Sequence, residues 1–314
     1  MRRLVLAAVA ISVLVSVLAP GAAAATPDEP LKKGDFAGSF GIGHGRSMYL
    51  ECYGEGSPTV ILDAGLRNGA SFWSQRSDET PPGPTVLPGV ARFSRVCGYD
   101  RPGTILTSNP PIEFSRSSPV RMPRTAADAA ADLHTLLRVA RVPGPYVFVS
   151  HSLGGLIDRL YAATHPRLVA GMVLVDALAE YLQDSLDPAQ MAAYSALNNG
   201  PVEGLDYPDL ERIRIVRSFA QMRRAKRKHP LRDIPLSVIS KGLPFGLPEG
   251  LPGGLTPAVL ERAWRHAQNK LAKLTPDAVH VIARRSSHHV MLTQPKLIID
   301  QARRVVRAVR RGGR

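Results

Sequence analysis

The chain has 314 residues and a formal net charge of +14 at pH 7. That length is enough to bury a large core, and α/β folds of this size commonly form one domain. Aromatic residues make up only 6% of the sequence and no nucleic-acid-binding module is recognisable, so the charge does not indicate nucleic-acid binding. It instead suggests attraction to an anionic cell-envelope surface, although a solvated basic face explains it more simply.

The first 25 residues have the pattern of a secretory signal peptide. Two arginines precede an apolar run over residues 4–18, and small residues then offer a cleavage site. The run is too short to favour a permanent membrane anchor, and no second candidate span follows it. We therefore expect a secreted or cell-envelope protein, with residues 26–34 as a disordered leader and residues 35–314 as the folded domain.

The only two cysteines, Cys52 and Cys97, fit an oxidising compartment. Each lies in or beside a candidate strand. We expect a disulfide between them, with two buried free thiols as the alternative.

Short apolar runs alternate with helical patterns through the expected domain. Strands are predicted at residues 36–42, 48–52, 59–63, 95–99, 146–150, 169–176, 236–240 and 279–283. Helices are predicted at residues 70–77, 125–140, 153–165, 257–274 and 295–310. The first two strands suggest an antiparallel pair, and the later alternation indicates a mostly parallel, doubly wound α/β sheet.

Two stretches interrupt this alternation. Residues 177–234 are polar and rich in helical patterns, and we interpret them as a helical cap inserted between strands. Residues 241–256 are punctuated by Gly and Pro, which is typical of a long surface loop.

A serine directly follows one of the predicted buried strands. Ser152 lies between the apolar run 146–149 and a helical segment, with the small residues Ser150 and Gly154 two positions before and after it. This is the pattern of a nucleophile elbow, a strained turn that exposes the serine hydroxyl at the edge of a sheet. A purely structural strand-to-helix turn is the alternative.

A nucleophilic serine needs a base and an orienting acid, which follow it in the order acid, then histidine. The loop after the last predicted strand carries His288 and His289, and His288 is favoured because two small residues before it permit a sharp turn. His151, beside the serine, is expected to support the elbow rather than to accept its proton.

The acid has several candidates in the sequence. Asp176 is favoured, because it ends a predicted strand at the edge where α/β sheets place their chemistry. The usual alternative position, after the strand at 236–240, has no carboxylate nearby. Three other candidates remain open, namely Glu249, Asp206 and Asp184.

Two backbone N–H groups are needed to stabilise the oxyanion that forms during acyl transfer. The N–H of Leu153 lies at the start of the helix that follows Ser152. The second is assigned to Leu66, because Gly65 before it allows the backbone to turn inward after the strand at 59–63.

With these parts in place, the chain resembles the α/β-hydrolase superfamily, and more narrowly secreted actinobacterial members related to esterases and lysophospholipases. The matching stretches are residues 57–66, 95–104, 147–155, 171–177 and 286–295. The resemblance implies Ser152 as nucleophile, His288 as base, a Gly65–Leu66 oxyanion turn and ester hydrolysis without a cofactor. Ser150 and Ser287 stand where the family usually has Gly.

The leading functional hypothesis is a secreted serine hydrolase that cleaves small-molecule or lipid carboxylic esters through an acyl-enzyme on Ser152. An acyltransferase would use the same acyl-enzyme with an alcohol acceptor. A third possibility is a non-catalytic envelope-binding protein on a hydrolase scaffold. No metal is expected, because the adjacent histidines lack the spacing of a ligand set.

Overall fold

The computed structural model describes residues 34–107, 112–202, 205–231 and 233–312. The predicted signal peptide, and the predicted leader up to residue 33, lie outside these residues. Among the described helices, none combines the length and apolar character needed to cross a membrane.

An eight-stranded sheet and a two-stranded ribbon organise the described residues. The strands are β1 (Phe36–Gly43), β2 (Arg46–Tyr53), β3 (Thr59–Asp63), β4 (Val96–Tyr99), β5 (Ile105–Thr107), β6 (Glu113–Phe114), β7 (Tyr146–His151), β8 (Val169–Val175), β9 (Leu236–Lys241) and β10 (Val279–Ala283). The order in the large sheet is β1-β2-β4-β3-β7-β8-β9-β10, and β5 pairs with β6. Strands β1 and β2 are antiparallel, and the other six run parallel.

Eight α-helices connect and cover these strands. They are α1 (Val86–Ala91), α2 (Ala126–Val139), α3 (Leu153–Thr164), α4 (Pro188–Asn199), α5 (Ile215–Lys228), α6 (Pro257–Leu271), α7 (Val290–Thr293) and α8 (Pro295–Gly312) in the described residues. The start of α2 is fixed by a capping box, in which Thr125 and Asp128 satisfy each other's free backbone N–H groups.

The sheet separates two hydrophobic cores. Helices α2, α3, α5 and α6 contribute to the core on one face, and α1 and α8 contribute to the core on the other. The central strands β3, β4 and β7 are buried at every position, which is typical of parallel strands covered on both faces. The predicted α/β class, with a mostly parallel sheet and helices on both faces, is confirmed.

Most predicted elements form within one or two residues of their expected bounds. The helix predicted at 70–77 is wrong in extent, because only a short 3₁₀ turn forms at Ala70–Trp73. Helix α1 and the β5–β6 ribbon were not predicted, since both are short and lack a clear apolar period.

The stretch at 177–234 contains a 3₁₀ turn at Glu180–Asp184 followed by α4 and α5. It leads from the end of β8 to the start of β9, and we call it the insertion. A buried ion pair joins it to the main domain, with Arg159 of α3 donating to both carboxylate oxygens of Glu180 at 2.8 and 3.0 Å.

Cys52 of β2 and Cys97 of β4 face each other in register, and the structure joins them in a disulfide. Both residues are fully buried. The bond therefore links the antiparallel part of the sheet to its parallel centre.

Candidate active site

The turn between β7 and α3 carries the predicted nucleophile. Ser152 has φ 49° and ψ −117°, a strained conformation for a residue other than glycine, and its side chain is partly exposed. Close packing around this turn requires glycine, because a Cβ on Gly154 would lie 2.5 Å from the carbonyl oxygen of Asp63. The backbone geometry is that of a nucleophile elbow.

Ser150, which stands where the family usually has Gly, makes a specific contact. Its hydroxyl donates to the Oδ2 atom of Asp158 at 2.5 Å, and both residues are fully buried. Burial and the nearby charge of Asp63 raise the pKa of Asp158 well above its usual range. A polar contact thus lies directly beneath the elbow, where glycine would leave none.

Asp176 and His288 meet at the carboxyl edge of the sheet. The Nδ1 atom of His288 lies 2.7 Å from Oδ2 of Asp176. The carboxylate follows β8 and is completely buried, whereas the His288 side chain keeps 22% of its surface exposed. A buried acid paired with a reachable imidazole is the geometry that orients a general base.

Two further donors hold the Asp176 carboxylate. Oδ1 accepts hydrogen bonds from the indole Nε1 of Trp264 at 2.9 Å and from the backbone N–H of Lys241 at 3.1 Å. Neither donor was identified from the sequence. Together they fix the carboxylate so that Oδ2 faces His288.

The other acid candidates lie elsewhere. Asp184 contacts Arg223 at 3.4 Å and His266 at 3.6 Å within the insertion and α6. Asp206 and Glu249 are exposed. Among the described carboxylates, Asp176 is the one hydrogen-bonded to His288.

His151 supports the loop that carries His288. Its Nε2 atom lies 2.9 Å from the backbone oxygen of His288, and the two rings are 4.5 Å apart. Burial, reinforced by His288 and His289, lowers the pKa of His151 well below its usual range, so the ring is neutral and Nε2 carries the proton. Because His151 adjoins Ser152, this contact brings His288 to the elbow.

The predicted oxyanion turn lies against the elbow. A Cβ on Gly65 would stand 2.7 Å from Nδ1 of His151 and 3.2 Å from Cβ of Ser152, so only glycine fits. Within the described part of the chain, no hydrogen-bond acceptor is found for the N–H groups of Leu66 and Leu153. These two N–H groups remain the candidate donors of the oxyanion hole.

His289 does not take part in the pair with Asp176. Its ring packs edge-on against Phe72, with 5.2 Å between ring centroids. Burial and the neighbouring His288 lower the pKa of His289 to about 3. In the unfolded chain its pKa returns to about 6.5, so the unfolded state binds the proton first and stability rises with pH.

We therefore expect His289 to destabilise the fold in acid. The loss of unfolding free energy due to His289 is absent above about pH 6.5. It grows by at most about 1.4 kcal/mol per pH unit as the pH falls towards the pKa of His289 in the folded state. Urea unfolding of the wild type and of His289→Gln between pH 8 and pH 4 measures it. The variant should lose less stability below pH 6.5, and parallel pH profiles would contradict this assignment.

The sheet order, the elbow and the Asp–His pair at the carboxyl edge define an α/β hydrolase. Residues 60–301 match the Alpha/beta hydrolase family, and the chain belongs to that family.

Relatives agree with this assignment. The uncharacterised protein YqjL of Bacillus subtilis is 24% identical over 246 residues, which cover 78% of this chain and 82% of YqjL. An AB hydrolase superfamily protein of Gibberella zeae is 26% identical, with 81% and 87% covered. A putative carbamate hydrolase, RutD, of Serratia proteamaculans is 33% identical over 41% of this chain and 42% of its own length.

Solved structures share the fold. A bromoperoxidase from Bacillus anthracis superposes with a TM-score of 0.60 at 17% identity, covering 87% of this chain and all of the other (100%). A thermophilic esterase from Thermogutta terrifontis superposes with a TM-score of 0.54 at 17% identity, covering 88% and 98%. At these identities the likeness establishes the fold alone.

Proposed function

We propose that the chain is a serine hydrolase that cleaves carboxylic esters through an acyl-enzyme on Ser152. The observation that carries the proposal is the hydrogen bond of 2.7 Å between buried Asp176 and His288, held beside a strained serine elbow. A serine hydroxyl is a weak nucleophile on its own, and an oriented imidazole is the group that activates it.

In the proposed mechanism, His288 accepts the Ser152 proton as the hydroxyl oxygen attacks the ester carbonyl. Asp176 holds the imidazole in the tautomer that presents Nε2 to the serine and stabilises the imidazolium that forms. The N–H groups of Leu66 and Leu153 stabilise the oxyanion. His288 then protonates the leaving alcohol, and a water molecule activated by the same imidazole releases the acid and frees Ser152.

The identity of the elbow residue distinguishes this chemistry from that of some structural neighbours. A putative epoxide hydrolase from Pseudomonas aeruginosa has the same fold, with a TM-score of 0.53 at 13% identity. Epoxide opening through an ester intermediate uses a carboxylate nucleophile at the elbow, whereas this chain has Ser152 there. Acyl transfer is the reaction that a serine at this position supports.

A fluorophosphonate probe tests the proposal. Intact mass should show one adduct on the wild type and on Ser185→Ala, a control at an exposed serine away from the elbow. Ser152→Ala should stay unlabelled. A folded wild-type protein that takes no adduct would remove the serine-hydrolase assignment.

The acceptor of the acyl group is a separate question. Lipid or small-molecule esters are the proposed substrates. Leu243 of the 241–256 loop is exposed and lines a cavity beside Asp176, and we propose that it offers apolar surface to an acyl chain. Product analysis with an added alcohol separates hydrolysis from acyl transfer, since a transferase forms the new ester and a hydrolase forms the free acid.

We further propose that the protein is exported. The support is the signal-like pattern of the first 25 residues together with the disulfide between Cys52 and Cys97. On expression in a secreting host, the mature protein should start at residue 25 or 26 by intact mass. Retention of the full-length chain in the cytoplasm would contradict export.

We propose that the basic end of α5 contributes weakly to the attraction to an anionic cell envelope that the net charge suggests. Arg223 and Lys226 are engaged within the protein, by Glu180 and Tyr181 respectively. Arg224, Arg227 and Lys228 remain exposed and available to anionic polymers or lipid headgroups.

A further inference from the structure

A buried guanidinium lies behind the oxyanion turn. Arg101 is only 3% exposed and donates to the backbone oxygens of Ala64 at 2.9 Å and Gly65 at 2.6 Å. It also forms ion pairs with Asp63 and with Glu211. One side chain therefore contacts the end of β3, the oxyanion turn and the insertion.

The hydrogen bond from Arg101 to the Gly65 carbonyl oxygen, together with one from the Asn68 N–H at 3.1 Å, sets the direction of the Leu66 N–H. The peptide between Gly65 and Leu66 is planar, so its C=O and N–H groups point in opposite directions in the usual trans form. Because Arg101 holds the carbonyl oxygen on the buried side, the N–H of Leu66 is directed away from Arg101. Gly65 itself packs against Ser152 and His151, so that N–H lies next to the elbow.

Glu211 of the insertion holds the turn at two points. Its carboxylate accepts from Nε of Arg101 at 2.6 Å and from Nη2 at 3.0 Å. It also accepts from the backbone N–H of Arg67 at 2.6 Å. Arg67 has φ 67°, an unfavourable conformation for a residue other than glycine, and this hydrogen bond helps to hold it there.

The charges in this cluster favour a fixed arrangement. Burial alone would lower the pKa of Arg101, but Glu211 and Asp63 outweigh burial and raise the pKa well above its usual range. Glu211 is 6% exposed, so the pair is shielded from solvent screening. The planar fork of arginine can meet both a carboxylate and carbonyl oxygens, whereas a lysine ammonium provides a single donor centre.

We propose that Arg101 and Glu211 are positioning residues for the oxyanion hole, and that the insertion controls the direction of the Leu66 N–H through Glu211. This inference rests on the proposed function of Ser152. Through Glu211, the insertion then completes the proposed donor set. Displacement of Glu211 from Arg101 and Arg67 would leave Ser152 and His288 intact and the hole incomplete.

The test compares two variants of this link with a matched control. Glu211→Gln removes the negative charge of the carboxylate and places an amide NH₂ group against the N–H donors of Arg101 and Arg67. Arg101→Lys keeps a cation beside Asp63 and Glu211 but loses the planar guanidinium that reaches both the carboxylates and the carbonyl oxygens. It therefore tests the same link if Glu211→Gln does not fold. The control is Glu180→Gln, which weakens the other buried ion pair between the insertion and the main domain without touching the oxyanion turn.

The expected result is a fall in kcat of roughly 10- to 100-fold on a p-nitrophenyl ester for Glu211→Gln and Arg101→Lys, since loss of a whole donor costs about 10²–10³. KM should change by no more than about threefold, because the oxyanion contact forms in the transition state. Amide hydrogen exchange at Arg67, whose N–H donates to Glu211, should accelerate in both variants. Glu180→Gln should keep kcat within about twofold of the wild type.

Each contrary result has a distinct meaning. Suppose that the wild type is labelled by fluorophosphonate but that Glu211→Gln and Arg101→Lys keep the kcat of the wild type. This result would overturn the inference and leave the proposed function standing. An equal loss of kcat in Glu180→Gln would also overturn it, since general loosening of the insertion would then suffice. If the wild type takes no label, the proposed function fails. Unchanged amide exchange at Arg67 in Glu211→Gln would overturn the positioning role of Glu211 independently of the label.

Discussion

Replacing Asp176 with asparagine is expected to lower kcat for ester hydrolysis by about 10⁴-fold, the size of effect typical of an acid in a Ser-His-Asp site. The replacement is nearly isosteric. Asp176 has φ 41°, and asparagine tolerates this left-handed conformation better than most residues. The loss should therefore appear in catalysis with little change in the unfolding midpoint.

The physical reason lies in the three donors around the carboxylate. An amide oxygen can still accept from Trp264 Nε1 and from the N–H of Lys241. The NH₂ group must then face Nδ1 of His288, where it favours the tautomer that carries its proton on Nε2. That tautomer cannot accept the proton of Ser152.

The three alternative acids provide matched controls. Asp184→Asn, Asp206→Asn and Glu249→Gln remove the same charge from positions that do not contact His288. Their kcat values should stay within about threefold of the wild type, because distant surface charges contribute little. A large loss in any of them, with Asp176→Asn active, would transfer the role of the acid to that residue.

Replacing Arg159 with methionine is expected to lower the free energy of unfolding by about 3–5 kcal/mol, because it leaves a buried carboxylate without its partner. Glu180 is 1% exposed and Arg159 is 3% exposed. Burial alone would raise the pKa of Glu180, but the guanidinium outweighs it and lowers the pKa. Lys226 lies 3.7 Å from the Glu180 carboxylate and still partly compensates its charge in the variant. We therefore expect a loss at the lower end of this range.

A double-mutant cycle separates two contributions to the loss of stability. One is the loss of the Arg159–Glu180 ion pair, and the other is the cost of burying the Glu180 carboxylate without a partner. The double variant Arg159→Met/Glu180→Met should recover much of the stability, since apolar residues of similar volume often replace a buried ion pair at little cost. Urea unfolding of the wild type, both single variants and the double variant gives the coupling energy. Additive losses would show that the two residues stabilise the fold independently.

The centre of the fold was predictable because its strands are buried on both faces. β3 and β7 are continuous apolar runs, and no helical periodicity competes with them. The elements that were missed or misjudged are short, namely the 3₁₀ turn at Ala70–Trp73, α1 and the β5–β6 ribbon. The helix predicted at 70–77 ends as a 3₁₀ turn at Trp73, and the backbone N–H of Ser74 closes this turn by donating to the carbonyl oxygen of Ser71.

The candidate site, too, could be predicted from the sequence only in part. Ser152 and His288 could be assigned because each follows a strand in the expected order, and Asp176 could be favoured because no carboxylate follows β9 closely. The supporting contacts could not be found, since they join residues far apart in sequence. Trp264 lies 88 positions from Asp176, and Glu211 lies 110 positions from Arg101. No local pattern encodes such pairs.

Asp176, the proposed acid, follows β8, and this has a consequence for the loop that follows β9. That loop, freed from supplying a carboxylate, contacts the site through Phe245, whose ring lies 5.2 Å from that of His288. Most of its tip, residues 246–250, is exposed. We therefore expect insertions, deletions and exchanges in this tip to be tolerated, so that the rim beside His288 can be redesigned while Ser152, Asp176 and His288 keep their positions.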